Sequence, residues 1–368
     1  MPSASLPLSD RVLDQLDEVD ARIRAALCAR VDLVPAATAT LHPLIEEILD
    51  CATGGKRVRA RLVLMAAGAP SSAALATAAA YELLHAAFVI HDDVIDRDAR
   101  RRGAPTLHTR GAARYAAEGW SAPDAAHRGH ARAIIAGDLA MATAYSLIHT
   151  AAAEAKEAGP ELLRGLDEAV TATTAGELMD VELSLPPGTG PVALGADSAE
   201  QVSAAKTAWY TSAAPLAAGG RLAGLAPEAV EALHTAGMHL GTAFQLQDDL
   251  LGVFGAPSLT GKAAGADLRE GKPTPLLAAA LATPQAERLT ALLGAVTAPV
   301  DGQQAPGREA EIAELTAALE DCGALDAVRA RIDRLGSAAV EAVEGAALPP
   351  ELAAALGDLV ADLRERRA

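Results

Sequence analysis

Aromatic residues are scarce in this 368-residue chain: three Phe, two Trp and four Tyr, 2% of the total. Its core must be aliphatic, and much of the 51% hydrophobic content is alanine, so many closely packed helices are expected. Basic residues are the next shortage. Thirty-one Lys and Arg against 48 Asp and Glu leave a formal charge of −17, which disfavours a nucleic-acid partner. An anion must then be taken in a local basic pocket. Cysteines number three, Cys28, Cys51 and Cys322, an odd and widely spaced set. They make neither a metal pattern nor a disulfide framework, and a reducing cytoplasm is the default. The N-terminal stretch MPSASLPLSDRVLDQLDEVD has no basic start before an apolar core, so no signal peptide is expected. The longest apolar run, 72–90, is broken by Glu82 and His85. It does not read as a transmembrane segment, and a soluble protein is expected.

What is present is organised around residues 81–103: YELLHAAFVI, then HDDVIDRD, then ARRRG. Leu84, Phe88 and Asp92 lie four apart on one helical face. The apolar stripe ends in Asp92, Asp93, Asp96 and Asp98. Asp92 and Asp96 form a like-charge i,i+4 pair, which weakens a helix by ~0.2–0.5 kcal/mol. They also fall where the macrodipole disfavours anions. Such a cluster calls for a compensating cation, and Mg²⁺ prefers carboxylate oxygens and bridges to substrate phosphates. Arg100, Arg101 and Arg102 follow at once and suit phosphate oxygens. Together these residues suggest a diphosphate whose departure Mg²⁺ assists; the alternative is a solvated acidic helix end.

Elsewhere the spacing predicts a helix over 10–30, with Ser9 as a possible N-cap, and another over 41–51. In GGKRVRARLVLMAAG (54–68), Lys56 and Arg59 open a helix on one face. Cations there oppose the dipole unless an anion is held with them, the alternative being a solvated basic turn. A second acid pair, Asp248 and Asp249, ends the stretch GMHLGTAFQLQ. Breaker-rich stretches at 115–130, 184–200 and 297–310 read as exposed connections, and a charged helical tail covers about 308–366. No repeat appears, and chemistry-bearing residues come from both halves. A single all-α domain over 1–368 is therefore expected rather than two.

The ordered set GGKRVR, ELLHAAFVIHDDVIDRD, RRG, AIIAGDLAMATAYSLI (133–148), AGELMDVELSL (175–185), KTAWYTSAAPLAAGG (206–220), GTAFQLQDDLLGVFG (241–255) and TGKAAGADLREGKPT (260–274) resembles the trans-isoprenyl diphosphate synthase (polyprenyl synthetase) family. The resemblance covers 54–276 and is nearest to bacterial geranylgeranyl diphosphate synthases. The fold it implies is a helical bundle around a central cavity. It implies several Mg²⁺ ions, replaceable by Mn²⁺, held by Asp92, Asp93, Asp96 and Asp248. It implies an allylic diphosphate held directly by Arg101, Lys206 and Lys262. Isopentenyl diphosphate would lie on Lys56, Arg59, His85 and Arg102. Thr207 and Gln245 would stand near the reacting carbons, and Asp180 would orient Lys206. A homodimer is also implied. The chain departs from the family twice: Gly252 replaces a third acid in the second motif, and Glu177 stands where glutamine is usual.

Product length follows from the first stripe. Phe88 and Leu84 lie about one and two turns before Asp92, at a pitch of ~5.4 Å. Ala87 is expected to leave the wall open on one side, favouring geranylgeranyl over farnesyl or longer polyprenyl diphosphate. A class I terpene cyclase would need an aromatic-lined pocket, which nine aromatic residues disfavour. A non-catalytic partner subunit is the rival of another class, and the intact acid and basic blocks speak against it.

Overall fold

The computed structural model describes residues 10–101, 103–183, 196–255, 265, 268–269, 271–272, 274–297 and 308–365. The first half comprises α1 (Asp10–Leu33), α2 (Thr38–Ala52), α3 (Val58–Ala67) and α4 (Ser72–Ile95), then a two-residue hairpin. In that hairpin β1 (Arg100–Arg101) pairs antiparallel with β2 (Ala104–Pro105). After it come α5 (Leu107–Ala117), α6 (Ala122–Ala155), α7 (Gly159–Leu183) and α8 (Ala196–Ser203). A π-helical segment, Ala204–Ala213, leads into α9 (Ala214–Leu222) and the long α10 (Pro227–Phe254). The remainder is α11 (Pro275–Leu281), α12 (Ala286–Thr297), α13 (Glu309–Asp321), α14 (Ala324–Val343) and α15 (Pro350–Glu365). The all-α expectation holds: the hairpin is the only sheet among the described residues.

The core explains the alanine content. Ala73, Ala74, Ala76, Ala78–Ala80, Ala86 and Ala87 of α4 are buried, as are Ala133, Ala136, Ala140 and Ala144 of α6. Small side chains let these helices lie close, so their contacts are dense without aromatic bulk. Ser71 starts α4 by accepting from the Ala74 N–H. With a mean hydropathy of 1.6, α4 is long and apolar enough to cross a membrane, but 83% of that window is buried inside the protein. It is a core helix. Its buried Glu82 accepts from the Ala60 N–H at 2.9 Å, so the start of α3 is met by the protein's own carboxylate.

Two expectations need correction here. Residues 115–130 are not one exposed connection, since α5 runs to Ala117 and α6 starts at Ala122. Ser121 caps α6, and Arg128 stacks 3.5 Å over the Trp120 ring, closing the corner tightly. Lys56 and Arg59 do not share a helical face either. Arg57 takes a left-handed conformation (φ 52°) and is tied to Asp20 and the Ala52 carbonyl, so the helix begins only at Val58. Ser9 lies outside the described residues.

The π-helical segment is held from two sides. Pro215 has no N–H for the ladder, and the Ala214 N–H reaches five residues back to the Trp209 carbonyl. On one side a Cβ at Gly176 of α7 would stand 2.6 Å from Lys206 Cα; on the other, one at Gly241 of α10 would stand 2.5 Å from Ala208 Cα. Only glycine allows these backbones to meet so closely.

Candidate active site

The acidic end of α4 faces three cations from three other places. Arg101 of β1 donates to Asp92 at 2.8 Å, to Asp93 at 2.5 Å and to Asp98 at 3.3 Å. Lys206 of the π-helical segment reaches Asp180 at 2.6 Å, Glu177 at 2.9 Å and Asp92 at 3.1 Å. Lys272 lies 3.5 Å from Asp96. The π-helix thus turns Lys206 towards α4 and α7 together.

The charges are strongly coupled. Burial works against the Asp92 carboxylate, but Lys206 and Arg101 outweigh it and hold the group below the usual range. Asp93 is pushed up to about 6 by burial, with Arg101 opposing. Burial also raises Asp96 and Glu177, against Lys272 and Lys206 respectively. Burial would lower Lys206, yet Asp92, Asp180 and Glu177 together raise it. It stays an ammonium.

Carboxylate oxygens of Asp92, Asp96 and Glu177 lie within 4.8 Å of one another. Oε1 of Glu177 is buried with no hydrogen-bond partner. An all-carboxylate donor set with an orphaned oxygen fits a hard divalent cation. This group differs from the expected quartet. Asp93 is turned into the protein onto Arg101, and Asp248 is exposed on α10 and outside the group. The neighbouring Asp249 is buried and accepts from Gln245 at 2.8 Å, so the Gln245 amide is directed along its own helix.

A second cluster lies one to two turns earlier on α4. Arg59 is buried; its guanidinium donates to Thr211 at 2.9 Å and Tyr210 at 3.1 Å, and lies 4.6 Å over the Tyr210 ring. His85 Nδ1 is 3.2 Å from the same Tyr210 hydroxyl. The half-buried Phe88 meets Tyr210 edge-on, with centroids 5.1 Å apart. Lys56 is exposed before α3 begins, and Thr207 is half-buried beside Lys206. Arg102 and Lys262 lie outside the described residues.

Leu84 and Ala87 are wholly enclosed, each with 0% exposure. The open wall expected at position 87 is therefore absent: no water-sized space touches either side chain, and only Phe88 of the three is accessible.

Sequence reasoning missed two residues and left one undecided. Asp180 does orient Lys206, as expected. Glu177, left without a role, joins the acid group. Lys272 sits in the stretch 260–274, where the resemblance points to Lys262. Tyr210 follows Lys206 by four residues in a chain with four tyrosines, but its link to α3 and α4 is tertiary and no spacing reveals it.

This arrangement pairs a cation-ready carboxylate group with basic side chains, on a bundle of long helices. The family model for polyprenyl synthetase matches residues 42–305, and the chain belongs to that family. The chain is 35% identical to a (2E,6E)-farnesyl diphosphate synthase of Mycobacterium tuberculosis over 229 residues, 60% of this chain. That match spans 55% of the relative, little more than half its length. It is 30% identical to a geranylgeranyl diphosphate synthase of Methanosarcina mazei, covering 75% of each. Among solved structures, the geranylgeranyl pyrophosphate synthase of Corynebacterium glutamicum, complexed with isoprenyl diphosphate and magnesium, is similar at a TM-score of 0.83. Identity is 30%, covering 96% of this chain and 99% of that one.

Proposed function

We propose that this chain is a Mg²⁺-dependent prenyltransferase that joins isopentenyl diphosphate head-to-tail to an allylic diphosphate. The observation carrying this reading is the meeting of Asp92 and Asp96 with Arg101, Lys206 and Lys272, set apart from the Arg59–His85–Tyr210 cluster. Asp92 and Asp96 would hold the metal, which when bound supplies a Lewis acid for the leaving diphosphate. Arg101, Lys206 and Lys272 exchange carboxylate partners for phosphate oxygens and stabilise the charge that grows there. Lys56, Arg59 and His85 hold isopentenyl diphosphate so that its double bond lies within reach of the allylic carbon. Thr207 turns its hydroxyl dipole to the positive charge, and the departing diphosphate takes the proton lost from the new chain. A homodimer is part of this reading, with the exposed Ile134 and Ile135 of α6 as apolar surface for it.

The product proposed is geranylgeranyl diphosphate. Phe88 and Tyr210, edge-on with centroids 5.1 Å apart, would be the one aromatic step that a growing chain meets. Relatives named for farnesyl, geranylgeranyl and octaprenyl products leave the length to such local features. The deciding experiment incubates the purified chain alone with Mg²⁺, labelled isopentenyl diphosphate and dimethylallyl, geranyl or farnesyl diphosphate. A twenty-carbon product is expected. No incorporation with any primer would reject the enzyme and favour a partner subunit, whereas another length would reject only the product. Phe88→Ala removes the step and is expected to lengthen the products; chromatography of the dephosphorylated alcohols reads this directly.

Tyr210→Phe separates the two diphosphate sites. It deletes the hydroxyl shared by Arg59 and His85 but keeps the ring against Phe88. A lost hydrogen bond to a charged group corresponds to about a tenfold rise in KM for isopentenyl diphosphate. KM for the allylic substrate should stay near wild type. Equal rises in both would contradict the division of the sites.

A further inference from the structure

We infer that Glu177 is a direct ligand of the divalent cation, so that the site is shared by α4 and α7 rather than built by aspartates alone. The inference rests on the reading that the acidic end of α4 takes such a cation.

Three observations carry it. First, Glu177 places an oxygen within 4.8 Å of oxygens of both Asp92 and Asp96, a spacing one ion can bridge. Second, its two oxygens are differently placed. Oε2 accepts from Lys206 at 2.9 Å, while Oε1 is buried without a partner. An ionised carboxylate oxygen removed from water and left unpaired is unfavourable, and a metal ion supplies the missing partner. Third, the backbone fixes the side chain there. Gly176 lets α7 touch the π-helical segment at Lys206, and Glu177 and Asp180, three residues apart, turn to one inner face. Leu178 and Val181 of the same turn point outward, 59% and 46% exposed.

The chemistry explains why the residue is an acid. A glutamine at 177 would still accept from Lys206 through its carbonyl oxygen but would bring no charge to the ion. The second acid pair on α10 has Gly252 where a further carboxylate could stand, and Asp248 lies outside the three-carboxylate group. Charge supplied by α7 makes up that difference.

The test measures metal alone. Mn²⁺ is titrated into the full chain, with and without inorganic diphosphate, and free Mn²⁺ is followed by electron paramagnetic resonance. Glu177→Gln is expected to weaken Mn²⁺ by about tenfold or more. Asp180→Asn removes the other α7 carboxylate on Lys206 but no oxygen of the three-carboxylate group, and is expected to weaken Mn²⁺ clearly less than Glu177→Gln does. Unchanged affinity in Glu177→Gln, or an equal loss in Asp180→Asn, would overturn the inference; the latter would show that both act only by neutralising Lys206. Asp92→Asn keeps the two readings apart. If it loses Mn²⁺ and Glu177→Gln does not, the cation site stands and only the ligand assignment falls. If Glu177→Gln loses Mn²⁺ while wild type condenses no prenyl substrate, the ligand assignment stands and the proposed reaction falls.

Discussion

Asparagine in place of Asp92 is expected to lower kcat by about a thousandfold, the scale of removing a group from a preorganised electrostatic site. No other described side chain of the site joins as many of its parts. One oxygen accepts from Arg101 and the other from Lys206, and Asp92 also belongs to the acid group with Asp96 and Glu177. On the proposed reading the substitution removes a charge that would hold the metal and misdirects two cations that would hold phosphate. Read from sequence, Asp92 is one of two repelling charges, and removing it relieves the helix by a few tenths of a kcal/mol. In the folded protein the repulsion is already answered by Arg101, Lys206 and Lys272. The melting temperature of the metal-free Asp92→Asn protein should therefore fall rather than rise, because asparagine keeps one acceptor oxygen for two cations and one charge-assisted hydrogen bond is lost. Steady-state kinetics at saturating Mg²⁺ and calorimetry of the same samples check both parts. Near-normal turnover would remove Asp92 from the machinery, and a higher melting temperature would mean that repulsion still dominates.

Within single helices the sequence was a good guide. The four-residue spacing of Leu84, Phe88 and Asp92 marks α4, and the like-charge pair Asp92–Asp96 falls in the three-carboxylate group at its end, because both depend only on helical periodicity. Errors begin where a neighbour decides. Ala87 looks like an opening from its size, but the packed core encloses it. His85 lies seven residues before Asp92, yet the hydroxyl it meets belongs to Tyr210, 125 positions away in sequence. Asp93 and Asp96 look equivalent in DDVID, and only burial and the arrival of Arg101 separate them. The π-helical segment had no visible signal except Pro215 and the glycines that face it, whose meaning depends on what packs there.

Those glycines lead to the second large effect: Gly176→Ala should cost about a hundredfold in turnover without touching a charged group. The added Cβ would stand 2.6 Å from Lys206 Cα and nearly as close to the neighbouring Ala205 carbonyl carbon at 2.7 Å. Backbone atoms cannot rotate away as a flexible side-chain end does, so α7 and the π-helical segment must separate by about 1 Å to restore ordinary contact. Overpacking of this kind destabilises by roughly 1–3 kcal/mol. The larger consequence is at Lys206. Its contacts with Asp180 and Glu177, at 2.6 and 2.9 Å, both cross the interface that must widen. A misplacement near 1 Å is worth about a hundredfold in rate where orientation carries the barrier. Gly294→Ala in α12 is the matching control, because a Cβ there meets nothing within 4 Å. Replacing a helix-interior glycine without a clash should stabilise by roughly 0.5–1 kcal/mol and leave turnover unchanged. Opposite shifts in melting temperature for the two alanines, with turnover lost only at 176, are the expected pair. If Gly176→Ala turns over like wild type, the close approach of α7 is not what positions Lys206.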